Sequence, residues 1–156
     1  FCIDQPGMLG RVDKIIINIG TNDVKWFNGK QFSVHKRCFN PLVSLVKNLK
    51  FKFPLAQITF VPMLPIRAVY NYTAKTVNDF NLVVLEVCRK FGCMFFDCFG
   101  DFLSEDCRDY NSALFRDKWH PNKLGLGLLC RAIKSIIFGP AISSQVRCFW
   151  HWPFYH

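Results

Sequence analysis

The sequence predicts an α/β domain built on a parallel sheet. Two observations carry this reading. Three short, continuous apolar runs are each stopped by Gly or Pro, and each is followed by a longer stretch with apolar residues at helical spacing. The chain has 156 residues, about one domain, and 51% of them are apolar. That is enough apolar mass to bury a core, and it excludes long intrinsic disorder.

The first run is 14–19 (KIIINI), rich in β-branched residues and stopped by Gly20. A run apolar on both faces is the mark of a buried parallel strand. Residues 57–61 (QITFV), stopped by Pro62, and 93–98 (CMFFDC), stopped by Gly100, repeat it. Between them, Cys38, Leu42, Leu45, Val46 and Leu49 fall on one helical face. Pro41 suggests a helix that starts there with Asn40 as its N-cap. In 73–91, Val77, Phe80, Val84, Val87, Cys88 and Phe91 form a second stripe, with Thr73 or Thr76 as cap and Gly92 as stop. In 123–138, Leu124, Leu128, Leu129, Ala132, Ile133, Ile136 and Ile137 form a third, ended by Gly139-Pro140. The last residues, 141–156, carry seven aromatic or His side chains with no helical period, and read as a separate tail.

The net charge is +9, unevenly spread. Residues 14–52 hold eight bases and one acid, and 110–156 six bases and one acid. The middle stretch, 53–109, has five bases and seven acids. The basic stretches are either solvated faces or surfaces that attract nucleic acid or anionic lipid. No uncharged apolar run approaches the ~20 residues of a membrane span. The chain opens at Phe1 without a charged-then-apolar leader, and is expected to be a piece of a longer product. Its eight cysteines include no C-x-x-C pair and sit in or beside apolar segments. They read as buried thiols in a reducing, cytoplasmic compartment. Cys148, His151 and His156 lack a fourth ligand, so no metal site is expected.

Two motifs carry chemistry. Gly20-Thr21-Asn22-Asp23 follows the first strand directly. It is either a plain turn with Asp23 capping a helix, or a loop that aims the Asn22 amide at a developing oxyanion. Asp117-Lys118-Trp119-His120-Pro121-Asn122 precedes the last helix. Three residues apart, Asp117 can reach the His120 imidazole across one tight turn, fix its tautomer and stabilise its protonated form.

Taken together, with two strand–helix units between them, these motifs resemble the SGNH, or GDSL-type, hydrolase superfamily. Gly20, Asn22 and Asp23 match its third block, and Asp117 and His120 its fifth. Residues 57–66 look like its next strand and loop, and 77–91, with Asn81, like the helix after it. Within the superfamily the chain looks most like the esterase-like domains of animal retroelement-derived reading frames. The resemblance implies a three-layer α/β/α (flavodoxin-like) fold, here N-terminally truncated, over residues 1–139, with 140–156 as the tail. It implies hydrolysis of an ester substrate by Ser-His-Asp chemistry without metal or cofactor. His120 would be the base, Asp117 its orienter and Asn22 an oxyanion donor.

The chain departs from the family at the nucleophile. No Gly-Asp-Ser occurs, and only thirteen residues precede the first strand, where the family places two strands and a helix. In the family the nucleophile's strand lies beside the G-T-N-D strand. Gly7 is a candidate for the second-block glycine of the oxyanion hole, at a spacing to Gly20 too short for the usual intervening helix. An esterase domain inactive as it stands is therefore expected. The alternative is a non-catalytic module that binds nucleic acid or anionic membrane through its basic stretches.

Overall fold

The computed structural model describes residues 12–25, 34–65, 74–105, 110–117 and 120–139. Strands β1 (Lys14–Ile17), β2 (Gln57–Phe60) and β3 (Met94–Phe95) form one parallel sheet in the order β1-β2-β3. Lys14 pairs with Gln57 and Ile17 with Phe60, while Thr59 pairs with Met94 and Phe60 with Phe95. A five-residue helix α1 (Thr21–Lys25) leaves β1. Helix α2 (Val34–Lys52) connects β1 to β2, α3 (Ala74–Phe91) connects β2 to β3, and α4 (Lys123–Phe138) follows β3.

The two-residue period of the strands sorts their side chains between two cores. Ile15, Ile17, Ile58, Phe60, Cys93 and Phe95 face α2 and α3, joined by Cys38, Leu42, Val46, Val77, Phe80, Val84 and Val87. Ile16, Val61, Phe96 and Cys98 face the other way, against Phe102, Phe115, Leu128, Ala132 and Ile136. Helices thus cover both faces, which is why the strand runs are apolar throughout. The fold is the α/β class with a parallel sheet that the runs predict.

Several boundaries differ from the expectation, each for a physical reason. Helix α2 starts at Val34, so Pro41 lies inside it and Asn40 is no cap. Contacts with α3 hold the early turns. Cys38 is buried, His35 stacks on Phe39 at 4.8 Å and meets Glu86 at 3.0 Å, and the Lys90 ammonium sits 5.3 Å from the Phe39 ring. Pro41 is on the exposed side, where water reaches the backbone. Thr76 lies within the first turn of α3 rather than at its cap; Thr73 falls outside the described residues. Gly92 does end that helix, in the left-handed region at φ 61°, and the Cys93 N–H returns to the Cys88 carbonyl at 2.9 Å. Strand β3 is only two residues long, because Asp97 turns back to accept the Phe99 N–H at 3.0 Å. On α4, Leu124 and Ile137 point out. Its inward face starts instead at Gly125, which lies against the Leu114 carbonyl.

Side-chain amides fasten the exits from the strands. Asn18 donates to the Pro62 carbonyl at 3.0 Å and the Val61 carbonyl at 3.4 Å, tying the end of β1 to the end of β2. Buried Asn81 on α3 accepts the Met63 N–H at 2.8 Å and donates to the Met63 carbonyl at 3.0 Å. Gly20 turns the chain out of β1 at φ 117°, and any Cβ there would strike the Phe80 ring.

Gly20→Ala therefore meets both a disfavoured backbone and an occupied space. It is expected to cost about 1–3 kcal/mol in urea unfolding; an unchanged midpoint would contradict the packing described.

The buried thiols set an alkaline limit. Burial, first of all, pushes Cys88 and Cys98 up to about 12 and Cys38 up to about 11; neighbouring Asp97 and Asp101 add to Cys98, and Asp23 to Cys38. Free thiols lose their protons near 8.5. Between about pH 9 and 12 the unfolded chain releases protons that the folded chain keeps, so stability falls as pH rises through that window. The thiols' contribution to the unfolding free energy is expected to hold up to about pH 8 and to decline above about 9. Cys98→Ala should show a shallower decline whatever its baseline.

Candidate active site

The sequence-predicted residues among those described follow β1 and β3 in the chain, on the side of the strands where open α/β sheets place their sites. Asn22 is the second residue of α1, exposed immediately beyond β1 and the Gly20 turn. Asp23 lies in the first turn of α1 rather than at its N-cap, because the helix begins at Thr21, directly after that turn. Gly7 lies outside the described residues, as do Cys148, His151, His156 and the tail.

Asp117 and His120 arrive on a long excursion between β3 and α4. Its root is aromatic. Phe102 is fully buried and meets Phe115 edge-on at 6.0 Å, and Tyr110 meets Phe115 at 5.0 Å. Phe115 shares its core with Val61 and Cys98, which follow β2 and β3, so the excursion is anchored at the strand exits. A short 3-10 turn (Ser112–Leu114) is capped by the Asn111 side chain, which accepts the Ala113 N–H at 3.1 Å.

From there the chain folds back on itself. The Asn122 N–H bonds the Leu114 carbonyl at 2.9 Å and the Arg116 N–H bonds the His120 carbonyl at 3.0 Å. Asn122 makes three more bonds with its side chain. It donates to the Ala113 carbonyl at 2.7 Å and accepts the Leu124 and Gly125 N–H groups at 2.9 and 3.2 Å, which makes it the N-cap of α4. The turn that carries His120 is thus welded to the start of a long helix. The Asn122 cap is a role the sequence reading missed, although Asn before an apolar helical stripe is its usual signal. The Asn18 and Asn81 clamps were also missed, and no local pattern marks them.

Within the turn, one Asp117 carboxylate oxygen accepts the His120 backbone N–H at 2.8 Å. The His120 Nδ1 lies 2.9 and 3.0 Å from the two carboxylate oxygens. An ionised carboxylate only accepts, so the Nδ1 carries the proton and the Nε2 of the neutral ring carries the lone pair. Both side chains are open to solvent, His120 by 61% and Asp117 by 44%. Arg116 stands 3.6 Å from Asp117 on the exposed side. The arrangement can take a proton from a hydroxyl presented to His120 and hold the resulting cation against Asp117.

Nearby, Asp97 and Asp101 follow β3. Desolvation by the surrounding chain, opposed by the Phe99 N–H and reinforced by Asp101, raises the Asp97 carboxyl above its ordinary range. Among the described residues no group of His, Cys, Asp and Glu could hold a metal ion.

Comparisons with known proteins bear on the fold. A structure from Streptococcus pneumonia named for platelet activating factor superimposes with a TM-score of 0.71 at 23% identity, covering 83% of this chain and 61% of that one. A GDSL-like lipase from Bacteroides thetaiotaomicron gives 0.63 at 19% identity, covering 78% and 60%. An acetylxylan esterase from Geobacillus stearothermophilus gives 0.63 at 25% identity, covering 86% and 64%. The chain spans about three-fifths of the length of these structures. No curated protein matches it. The sequence model of the GDSL-like lipase/acylhydrolase family matches residues 4–127, most of the chain. This chain therefore belongs to the GDSL-like lipase/acylhydrolase family.

Proposed function

We propose that residues 1–139 supply the base half of a serine esterase site, with His120 as general base and later general acid, Asp117 as its orienter and Asn22 as an oxyanion donor. The single observation that carries this reading is the Asp117–His120 contact at 2.9 Å, with the Nε2 left to take a proton. A non-catalytic module would need no such tautomer-fixing pair on so firmly anchored a turn. In the proposed reaction a serine hydroxyl loses its proton to the His120 Nε2 as it attacks an ester carbonyl. The amide of Asn22 stabilises the oxyanion without titrating, and His120 returns the proton to the leaving alcohol. Likeness to the acetylxylan esterase supports a short acyl ester as substrate. The free thiols at Cys38, Cys88 and Cys98 fit a reducing, cytoplasmic setting.

The serine is proposed to come from outside these residues, since the chain has no Gly-Asp-Ser. Among the described residues β1 pairs only with β2, and the proposed serine-bearing strand would pair with its other edge. Gly7 would contribute a backbone N–H to the same oxyanion. Without the serine, the chain by itself is expected to hydrolyse esters no faster than free imidazole. Holding the attacking group in place accounts for about 7–11 kcal/mol of barrier, and each missing oxyanion donor for roughly 3 kcal/mol, enough separately to hide activity.

The test is hydrolysis of p-nitrophenyl acetate by the chain, with and without a separately produced N-terminal piece carrying Gly-Asp-Ser. A rate that appears only in the mixture and vanishes with His120→Ala is expected. His120-dependent turnover by the chain alone, blocked by a serine-directed phosphonate, would place the nucleophile within it and overturn the half-site reading.

The orienting role is tested separately by nitrogen-15 NMR of the neutral His120 ring. The proton should reside on Nδ1 in the wild type. It should shift towards Nε2 in Asp117→Ala. The same tautomer in both would deny Asp117 that role.

A further inference from the structure

The two sides of helix α4 differ in chemistry. Gly125, Ala132 and Ile136 form its buried line. Both of its ends are fastened. Asn122 caps the first turn, and the Lys14 ammonium donates to the Ile136 and Ile137 carbonyls in the last, at 2.9 and 2.7 Å. At 3.6 residues per turn, Lys123, Gly127 and Lys134 fall opposite the buried line. Nothing among the described residues packs on the middle of that outward side: a Cβ built on Gly127 would meet no atom within 4 Å.

The outward side is both apolar and basic. Most of the large apolar side chains exposed among the described residues belong to this one helix: Leu124 at 67%, Leu126 at 49%, Ile137 at 40% and Phe138 at 80%. Such a concentration on a single helix marks a contact surface. Lys123, Arg131 and Lys134 are exposed between them, and α4 has no acidic residue. Among the described residues the side chains of these three cations have no hydrogen-bond or ion-pair partner. The exposed Ser135 hydroxyl turns back to the Ala132 carbonyl at 2.7 Å. Nor does the following sequence offset the charge, since 141–156 adds Arg147 and no acid.

We propose that the outward side of α4 lies along the surface of an anionic lipid bilayer. Leu124, Leu126, Ile137 and Phe138 would enter the headgroup boundary. The cations, whose stems run along apolar surface, would meet lipid phosphates and carboxylates. The combination selects this occupant. Phosphodiesters of a nucleic acid would reward the cations, but nothing in that backbone rewards burying aliphatic side chains such as Leu124 and Ile137. A second copy would cover the apolar side chains, but it would set like charges against each other. An anionic bilayer rewards both kinds of group at once. The fastened ends of α4 hold these side chains as one ready-made surface, so docking needs no helix to form. The docking does not depend on the esterase reading.

The test is co-sedimentation of the full 156-residue chain with vesicles of phosphatidylcholine alone and with about one part in four of phosphatidylserine. Binding to the anionic vesicles alone is expected. Arg131→Gln/Lys134→Gln should weaken it about thirtyfold, since each cation at an anionic surface is worth about 1 kcal/mol. Leu124→Ser/Phe138→Ser should weaken it by roughly tenfold or more. Both variants alter exposed positions only and should keep the wild-type circular dichroism. Equal binding to both vesicle types would overturn the proposal, as would either variant folded and bound as well as the wild type. Binding lost in Trp150→Ser/Trp152→Ser but kept in both helix variants would assign it to the aromatic tail instead. Release from the vesicles by the separately produced Gly-Asp-Ser piece would assign the face to that piece. A dimer that Leu124→Ser/Phe138→Ser separates, without vesicle binding, would assign it to a second copy. A single-stranded oligonucleotide bound through Arg131 and Lys134 whatever stands at 124 and 138, again without vesicle binding, would assign it to nucleic acid.

Discussion

A parallel sheet covered on both faces has one unavoidable problem. Where its strands diverge, backbone donors and acceptors leave the ladder while still close to the core, and each must find a partner. In this chain side-chain amides take that role. Asn18 reaches the Val61 and Pro62 carbonyls, Asn81 takes both backbone groups of Met63, and Asn122 takes the Ala113 carbonyl while capping α4. Neutral amides suit the task because each offers both a donor and an acceptor and none brings a charge into the core. The site inherits its geometry from these bonds. His120 is exposed, yet the turn that carries it is tied to a helix on one side and, through Phe115, to the second core on the other.

Much of this was legible in the sequence. Runs such as KIIINI cannot alternate between water and core, so they announce a sheet covered on both faces. The stripe of Val77, Phe80, Val84 and Val87 gave α3 its buried face, and Gly92 its end. The rest depended on contacts between residues far apart in the chain. Nothing near Pro41 reveals that Glu86 and Lys90, on another helix, sustain the turns before it. Nothing near Asn18 shows that the carbonyls it serves lie some forty residues on. Strand β3 is short because an aspartate within the run prefers its own turn, a competition between local bonding and the ladder that composition does not decide.

For the candidate site, the pair three residues apart was readable because Asp117 and His120 need only one tight turn to meet. What spacing could not show was the way the turn is held. The segments after β1 and β3 carry amides, carboxylates and an exposed imidazole, while the ends of α2 and α4 leave Phe51 and Phe138 protruding.

The central claim is that the Asp117–His120 turn is pre-set by its bonds to Asn122 and to the chain's own backbone. Hydrogen exchange at the His120 N–H, which Asp117 accepts at 2.8 Å, reads this directly. An exposed turn amide should exchange nearly as fast as a free peptide unless the turn is held. Clear protection is expected in the wild type. Exchange faster by about tenfold or more is expected in Asn122→Ala, since the bonds of Asn122 close the turn without touching the imidazole. Free-peptide exchange in the wild type, or an Asn122→Ala variant as protected as its parent, would contradict it.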